Sequence, residues 1–221
     1  MRIRPVGAHA LLLDLAVTAN ERAEPNEPAE PAGSVAATVE AWRAELWRRR
    51  ERGELIATEI VPAATTVLLD GVPDPPAAAA RIAGWTPAPP TATAAAGTVE
   101  IPVSYDGEDL PLVAAHWRVD VPAVLRRLRE TEFRVAFCGF APGFGYLTGL
   151  PDELAVPRLA TPRPRVPAGS VALAGPYAGI YPTASPGGWL LVGRTGLTLF
   201  DVRADPPARL TPGTRVRLVP A

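Results

Sequence analysis

The sequence predicts an α+β protein with two domains, a small mixed domain over residues 1–85 and a β-rich domain over residues 98–221. Strand-like and helix-like runs alternate in the first segment. Residues 86–97 contain only Pro, Thr, Ala and a closing Gly, which is the composition of a linker. Short β-like runs bounded by Gly or Pro recur after residue 133. These three observations predict the fold class and place the domain boundary.

The first domain is predicted to contain one long helix. Apolar residues recur at intervals of three or four over residues 35–46, which gives one apolar stripe. Ser34 is the expected N-cap, and the helix should end near Arg52 because Gly53 follows. Residues 20–33 are rich in Glu, Pro and Ala with almost no large apolar side chain, so we expect a mobile loop there.

The remaining runs of the first domain complete a short α/β series. We expect strands over residues 10–17, 55–61 and 65–69, and a second helix over residues 77–82. The resulting order of strand, helix, strand, strand, helix is compatible with a ferredoxin-like α+β unit.

The second domain is predicted to be mainly β with two short helices. The helices cover residues 110–115 and 121–129, with Asp120 as the N-cap of the second and Pro122 in its first turn. Six strands are expected over residues 99–104, 134–138, 170–174, 189–192, 197–200 and 215–219. Several short strands at close spacing predict a β-barrel or a sandwich.

Composition excludes several function classes. A net charge of −1 over 221 residues gives no global field toward nucleic acid or membrane, so we expect neither as a partner. All 22 basic residues are Arg, so no Lys can form a Schiff base or serve a Walker-type phosphate loop. One cysteine and two histidines cannot build a thiolate or His-rich metal site, and no metal is expected. No signal peptide or membrane-length apolar run is present, so we expect a cytoplasmic protein.

A carboxylate-free stretch holds the most informative residues of the second domain. Residues 154–200 contain no Asp or Glu, yet they contain Arg158, Arg163, Arg165 and Arg194. The guanidinium group presents a planar fork of donors that suits carboxylate and phosphate. An alternative interpretation is a Pro/Gly-rich loop region with solvated arginines.

Turn and aromatic residues flank these arginines. Pro142-Gly143 lies between Phe140 and Tyr146, an aromatic group that could hold a flat anion or form a core under a loop. Gly187-Gly188 could let a ligand or another chain approach the backbone closely, or could form a plain hairpin turn.

Three other features have a structural and a functional interpretation. Cys138 is more easily explained as a buried, inert thiol in a strand than as a nucleophile. A lone histidine such as His116 is more often structural, although imidazole can move protons near neutral pH. The acidic residues Asp106, Glu108 and Asp109 could pair with the arginines, but a solvated turn is the favoured interpretation.

The motifs of residues 99–219 resemble one family closely. They include Phe140-Ala141-Pro142-Gly143-Phe144, Ala160-Thr161-Pro162-Arg163, Val166-Pro167-Ala168-Gly169-Ser170, Gly179-Ile180-Tyr181-Pro182, Ser185-Pro186-Gly187-Gly188-Trp189 and Gly193-Arg194-Thr195. Together they resemble the allophanate hydrolase subunit 1 or KipI family, which includes the B subunits of bacterial 5-oxoprolinases.

The resemblance implies both a fold and an activity. It implies a ferredoxin-like N-terminal domain and a cyclophilin-like β-barrel C-terminal domain. It also implies a subunit, inactive by itself, of an ATP-dependent 5-oxoprolinase complex, a hydrolase that opens 5-oxoproline to glutamate. The implied partners are an allophanate hydrolase subunit 2 (KipA)-type subunit and a LamB/YcsF-type subunit, with ATP and Mg at a site shared with those partners.

Under this resemblance we assign site roles to named residues. His116 is the candidate for proton transfer, and Arg163 and Arg194 are the candidate catalytic guanidinium groups, since both the substrate and a phosphoryl group are anionic. The candidate substrate- or phosphate-binding residues are Phe140, Pro142, Gly143, Tyr146, Arg165, Ser170, Tyr181, Ser185, Gly187, Gly188 and Thr195.

Two other functions remain open at this point. A KipI-like protein could inhibit a sensor histidine kinase by occupying a helical surface of that partner. The chain could also be a domain of a urea or allophanate pathway enzyme.

Overall fold

The structure is a computed structural model that describes residues 1–16, 32–88 and 98–221, with only the backbone of residues 32–34. The described chain divides into two compact units, Met1–Thr93 and Ala94–Ala221. Most of the expected mobile loop over residues 20–33, and most of the expected linker over residues 86–97, lie outside the described residues.

The first unit is a four-stranded antiparallel sheet with two helices. Its elements are β1 (Arg2–Pro5), β2 (Ala10–Asp14), α1 (Ala32–Glu51), β3 (Glu59–Pro62), β4 (Thr66–Asp70) and α2 (Pro75–Ala83). The strand order is β1-β2-β4-β3. Leu11, Leu13, Val67 and Leu69 alternate along the two central strands and are almost fully buried, as a sheet with one covered face requires.

The predicted series of the first unit is present as β2, α1, β3, β4 and α2. The helix α1 begins at Ala32, two residues before the expected N-cap Ser34, and it ends at Glu51. Gly53 has a φ of +73° there, so the expected glycine stop is confirmed. The fourth strand β1 precedes the series, whereas the last strand of a ferredoxin-like unit follows the second helix. The first unit is therefore a mixed α/β unit, and its assignment as ferredoxin-like stays a prediction.

The second unit contains nine strands and two α-helices among its described residues. They are β5 (Thr98–Val103), α3 (Leu110–Trp117), α4 (Val121–Glu130), β6 (Glu132–Cys138), β7 (Gly145–Thr148), β8 (Arg163–Val166), β9 (Ser170–Ala174), β10 (Tyr177–Ile180), β11 (Ser185–Gly187), β12 (Leu190–Arg194) and β13 (Arg215–Pro220). A 3₁₀ turn covers Asp152–Leu154. Both predicted helices and five of the six predicted strands are confirmed.

A nearly closed sheet forms the body of the second unit. Seven strands follow the order β12-β9-β10-β7-β6-β13-β5, and β8 pairs separately with β11. The two ends of the large sheet meet at Ser104 and Arg194, whose backbone groups exchange two hydrogen bonds of 2.9 Å. This bridge joins the end of β5 to β12 and gives the sheet its barrel-like form, as the short strands predicted.

The core of the second unit fills the inside of this sheet and the faces of the helices. Ile101, Val103 and Phe133 alternate along their strands with exposed neighbours, and all three are buried. The helix α4 packs against β13 through Val124 and Leu128. Asp120 caps α4, because its carboxylate accepts the Ala123 N–H at 2.8 Å, which confirms the predicted N-cap.

The prediction of a strand over residues 197–200 is wrong. This segment makes a single isolated bridge, between Phe200 and Ala208. The N–H of Arg209 and its side chain hydrogen-bond to the carbonyls of Leu199 and Thr198, so the segment pairs with an irregular loop. An apolar run forms a strand only where a second strand is available to pair with it.

A buried ion pair links the start of α3 to two distant strands. Both carboxylate oxygens of Asp109 accept from Nη2 of Arg163 at 2.8 Å. The same carboxylate accepts the backbone N–H of Leu191 at 2.7 Å. Asp109 is only 4% exposed, so the favoured interpretation of a solvated turn is wrong for this residue. Nε of Arg163 also lies 2.7 Å from the carboxylate of Glu108, a side chain that is 65% exposed.

The burial difference between Asp109 and Glu108 predicts different effects on stability. Asp109→Ala should lower the free energy of unfolding by about 2–3 kcal/mol, because it removes the buried carboxylate partner of a partly buried guanidinium and leaves the Leu191 N–H without its acceptor. Glu108→Ala, the matched control on the same arginine, should cost about 0–1 kcal/mol because water replaces an exposed partner. Urea unfolding of both variants measures the difference, and equal losses would contradict it.

Candidate functional site

A cleft of about 300 Å³ opens on the second unit among the predicted site residues. Its lining consists of Phe140, Phe144, Tyr146, Arg158, Leu159, Pro162, Tyr181, Pro186, Gly187, Gly188 and Trp189. Five of these residues are aromatic, one carries a guanidinium group, and none carries a carboxylate. A concave, mainly apolar surface with a few polar groups is typical of a small-molecule site.

The aromatic wall is organised around Phe144, which lies just before β7 and is almost fully buried. Its ring makes edge-to-face contacts with Tyr146, Tyr181 and Trp189 at centroid distances of 5.0, 5.4 and 5.5 Å. Gly179 of β10 makes room for this packing, because a Cβ there would lie 2.8 Å from the ring of Phe144. The aromatic group therefore forms a core and also lines a cleft, and its holding of a flat anion stays a prediction.

The glycine pair forms a bare part of the cleft. A Cβ at Gly187 would lie 2.4 Å from the hydroxyl of Tyr181, so only glycine fits beside that tyrosine. At Gly188 the nearest atom to a Cβ would be the Leu159 carbonyl oxygen at 3.5 Å, which is ordinary contact. Gly187 also pairs with Arg163 in the ribbon formed by β8 and β11.

The hydroxyl of Tyr181 is a donor placed beside this glycine. Burial raises the pKa of Tyr181, and the opposing effects are a backbone hydrogen bond with Trp189 and the positive charges of Arg158 and Arg163. The group therefore stays protonated at neutral pH and can donate a hydrogen bond to a ligand.

The four arginines of the carboxylate-free stretch have different surroundings. Arg163 is held by Asp109 and Glu108, and the hydrogen bonds and charges of these carboxylates raise its pKa although partial burial acts the other way. Arg194 lies on β12 with its Nε 2.8 Å from Asp106. Arg158 and Arg165 are exposed, and neither makes an ion pair within the part of the chain that the structure describes. Only Arg158 of the four lines the aromatic cleft.

The structure brings together some of the predicted site residues and separates others. Phe140, Tyr146, Tyr181, Gly187 and Gly188 share the aromatic cleft. Arg194 lines two other clefts, of about 310 and 360 Å³, the first with Ser170 and the second with Thr195. The remaining predicted residues, His116, Pro142, Gly143, Arg163, Arg165 and Ser185, line none of these three clefts.

The remaining predicted residues have identifiable positions. His116 lies exposed in the last turn of α3, and Pro142 and Gly143 form the turn before Phe144. The Oγ of Ser185 is buried and has no hydrogen-bond partner among the described residues. The site residues assigned from the sequence did not include Arg158. The signal that could have identified it is its position after Pro157, within the carboxylate-free stretch.

The described residues outside the cleft add three findings. No group of three His, Cys, Asp or Glu side chains among them could hold a metal ion. No helix in the described ranges combines the length and the apolar character needed to cross a bilayer. Burial raises the pKa of the Cys138 thiol, whose Sγ lies 3.4 Å from the Leu210 carbonyl oxygen. This environment supports an unreactive thiol.

The sequence matches known proteins over part of their lengths. Three curated relatives, each named as the B subunit of 5-oxoprolinase, are 44–50% identical to it. The protein from Escherichia coli O157:H7 is 50% identical over 125 residues, which cover 55% of this chain and 57% of that protein. The chain thus spans about half the length of the curated relatives that it matches.

Solved structures match the fold over nearly the whole chain. The crystal structure of TTHA0988 has a TM-score of 0.71 at 32% identity, covering 100% of this chain and 40% of that one. Urea carboxylase from Kluyveromyces lactis has a TM-score of 0.69 at 18% identity, covering 99% of this chain and 21% of that one, and shows the fold alone.

A family model covers most of the sequence. The model described as carboxyltransferase domain, subdomain C and D, matches residues 1–210. With the three named relatives, this match confirms the resemblance drawn from the motifs of residues 99–219. The chain belongs to the family of carboxyltransferase domains, subdomains C and D, within the group that contains KipI and the 5-oxoprolinase B subunits.

Proposed function

We propose that this chain is a component of an ATP-dependent 5-oxoprolinase complex, which hydrolyses the lactam of 5-oxoproline to give glutamate. The observation that carries the proposal is the 44–50% identity to three relatives named as B subunits of 5-oxoprolinase. Because these relatives are named as subunits, they support an activity that belongs to an assembly. We propose in addition that this chain is inactive by itself.

We further propose two partners, a subunit of the allophanate hydrolase subunit 2 (KipA) type and a subunit of the LamB/YcsF type. A lactam is a stable amide, and its hydrolysis requires binding of the substrate, activation of the carbonyl and delivery of water. The described residues include an aromatic cleft but no evident set of groups for all three tasks. Division of the three tasks among the subunits would explain why this chain does not hold groups for all of them. A cytoplasmic location for the complex stays a prediction.

ATP and Mg do not fit a site made by this chain's described residues alone. One guanidinium group, that of Arg158, lines the aromatic cleft, whereas ATP presents three phosphates. The described residues also lack a cluster of three carboxylate, imidazole or thiolate groups for a metal ion. We therefore place ATP and Mg at a site shared with the partner subunits, and no step through ATP is assigned to residues of this chain.

The roles expected for His116, Arg163 and Arg194 change in this proposal. Arg163 already has two carboxylate partners and a backbone acceptor. We therefore propose that it stabilises the wall of the cleft and does not bind a ligand. Arg194 and His116 lie outside the aromatic cleft, and a role for either in the reaction requires a surface that a partner subunit completes.

Reconstitution tests the proposed function. We expect glutamate from 5-oxoproline and ATP only when this chain and both partner subunits are present, because each supplies part of the site. Glutamate is measured with the complete set and with each subunit omitted, after gel filtration has shown that the set assembles. Equal glutamate without this chain, or none from the assembled set, would contradict the proposal.

The family description supports a second candidate, a domain of a urea or allophanate pathway enzyme. The same reconstituted proteins supplied with urea and bicarbonate, or with allophanate, separate the two candidates. Turnover of these compounds without turnover of 5-oxoproline would favour the second. No feature of the described residues favours inhibition of a sensor histidine kinase over either candidate.

A further inference from the structure

We propose that the aromatic cleft binds a small flat ring that carries one carboxylate, and that Arg158 pairs with that carboxylate. The identification of this ring as 5-oxoproline rests on the proposed function. The binding site itself rests on the charge, the shape and the backbone geometry of the cleft.

The charge of the cleft favours a monoanion. Arg158 is its one guanidinium group, and no Asp or Glu lines it. Arg163 and Arg194 are engaged by carboxylates of this chain, whereas Arg158 makes no ion pair among the described residues. An exposed guanidinium beside an apolar surface is well suited to form two parallel hydrogen bonds with a ligand carboxylate.

The shape of the cleft favours a flat ring of small size. A volume of about 300 Å³ lies at the lower end of the range for ligand sites. The rings of Tyr146, Tyr181 and Trp189 form one wall, and the Gly187-Gly188 backbone offers a surface without side chains. Tyr181 lines the cleft, and its protonated hydroxyl, beside Gly187, is the group that we assign to donate to a ring carbonyl.

Phe140 supplies a separate observation at the mouth of the cleft. Its φ of +69° lies in the left-handed region, which is a costly conformation for an aromatic residue. Its side chain is 62% exposed and meets Phe144 edge-to-face at a centroid distance of 5.3 Å. Burial does not explain a strained and exposed ring, whereas contact with a bound ring does.

The first test replaces the proposed anchor. Arg158→Gln should weaken binding of 5-oxoproline to the chain at least about tenfold, because a charge-assisted pair is lost. Arg165→Gln is the matched control, since Arg165 is also exposed and unpaired but, against its assignment from the sequence, lies outside the cleft, and the variant should bind as the wild type does. Isothermal titration calorimetry measures the affinity. A change in the NMR shift of the Trp189 indole N–H on addition of ligand locates the binding site, and the Trp189→Phe variant assigns that resonance.

The same titration with 2-pyrrolidinone, the lactam ring without the carboxylate, tests the charge requirement. We expect wild type to bind it at least about tenfold more weakly than 5-oxoproline, and Arg158→Gln to bind both rings equally. Absence of binding by the wild type, or equal losses in the two arginine variants, would overturn the proposal.

The second test replaces Phe140 with glycine, which adopts a positive φ without strain. Phe140→Gly should weaken binding of 5-oxoproline about three- to tenfold while its urea midpoint stays at or above that of the wild type. A lowered midpoint with unchanged affinity would mean that the ring only packs against Phe144, and would overturn the role given to Phe140.

These outcomes separate this inference from the proposed function. Suppose that the chain binds ring carboxylates through Arg158 but that glutamate forms equally well without the chain. This result would support the proposed binding site and contradict the oxoprolinase role. Conversely, the complex could require the chain for activity while the Arg158→Gln variant leaves the KM for 5-oxoproline unchanged. This result would support the oxoprolinase role and overturn the pairing of Arg158 with the carboxylate.

Discussion

The buried carboxylate of Asp109 is the interaction on which the candidate site depends. It lies just before α3 and binds both Arg163 of β8 and the backbone of Leu191 in β12. Arg163 also donates to the Trp189 carbonyl at 3.3 Å, and its residue pairs with Gly187 across the ribbon. A single pair of opposite charges therefore positions one aromatic wall and the bare glycine backbone of the cleft.

This pairing determines which arginine is available to a ligand. A guanidinium group that is partly buried needs carboxylate partners to offset its lost hydration, and Arg163 obtains two of them. Arg194 pairs with Asp106 next to the backbone bridge that nearly closes the barrel. Arg158 lines a cleft without acidic residues and has no ion-pair partner among the described residues, so its guanidinium is the one left available for the proposed anion.

Several residues around the cleft adopt conformations, or lack side chains, in ways that local backbone and strand preferences disfavour. Phe140 adopts a left-handed backbone that its side chain disfavours, and Gly179 and Gly187 forgo side chains so that Phe144 and Tyr181 can pack closely. Each feature is less stable locally than an ordinary strand residue would be, and the closely packed aromatic rings compensate. Such departures are expected at functional sites, where geometry is held against local preference.

The sequence by itself determined the two helices of the second unit, the Asp120 cap, five strands and the family, because these depend on periodicity, capping and contiguous motifs. It did not identify short strands such as Arg163–Val166 and Tyr177–Ile180, which lack alternation and form because partners lie beside them. It offered pairing of the acidic residues with the arginines but could not select Asp109 with Arg163, since 54 residues separate them. Only the tertiary structure, by bringing β8 and β12 to the start of α3, decided which arginine is structural and which lines the cleft.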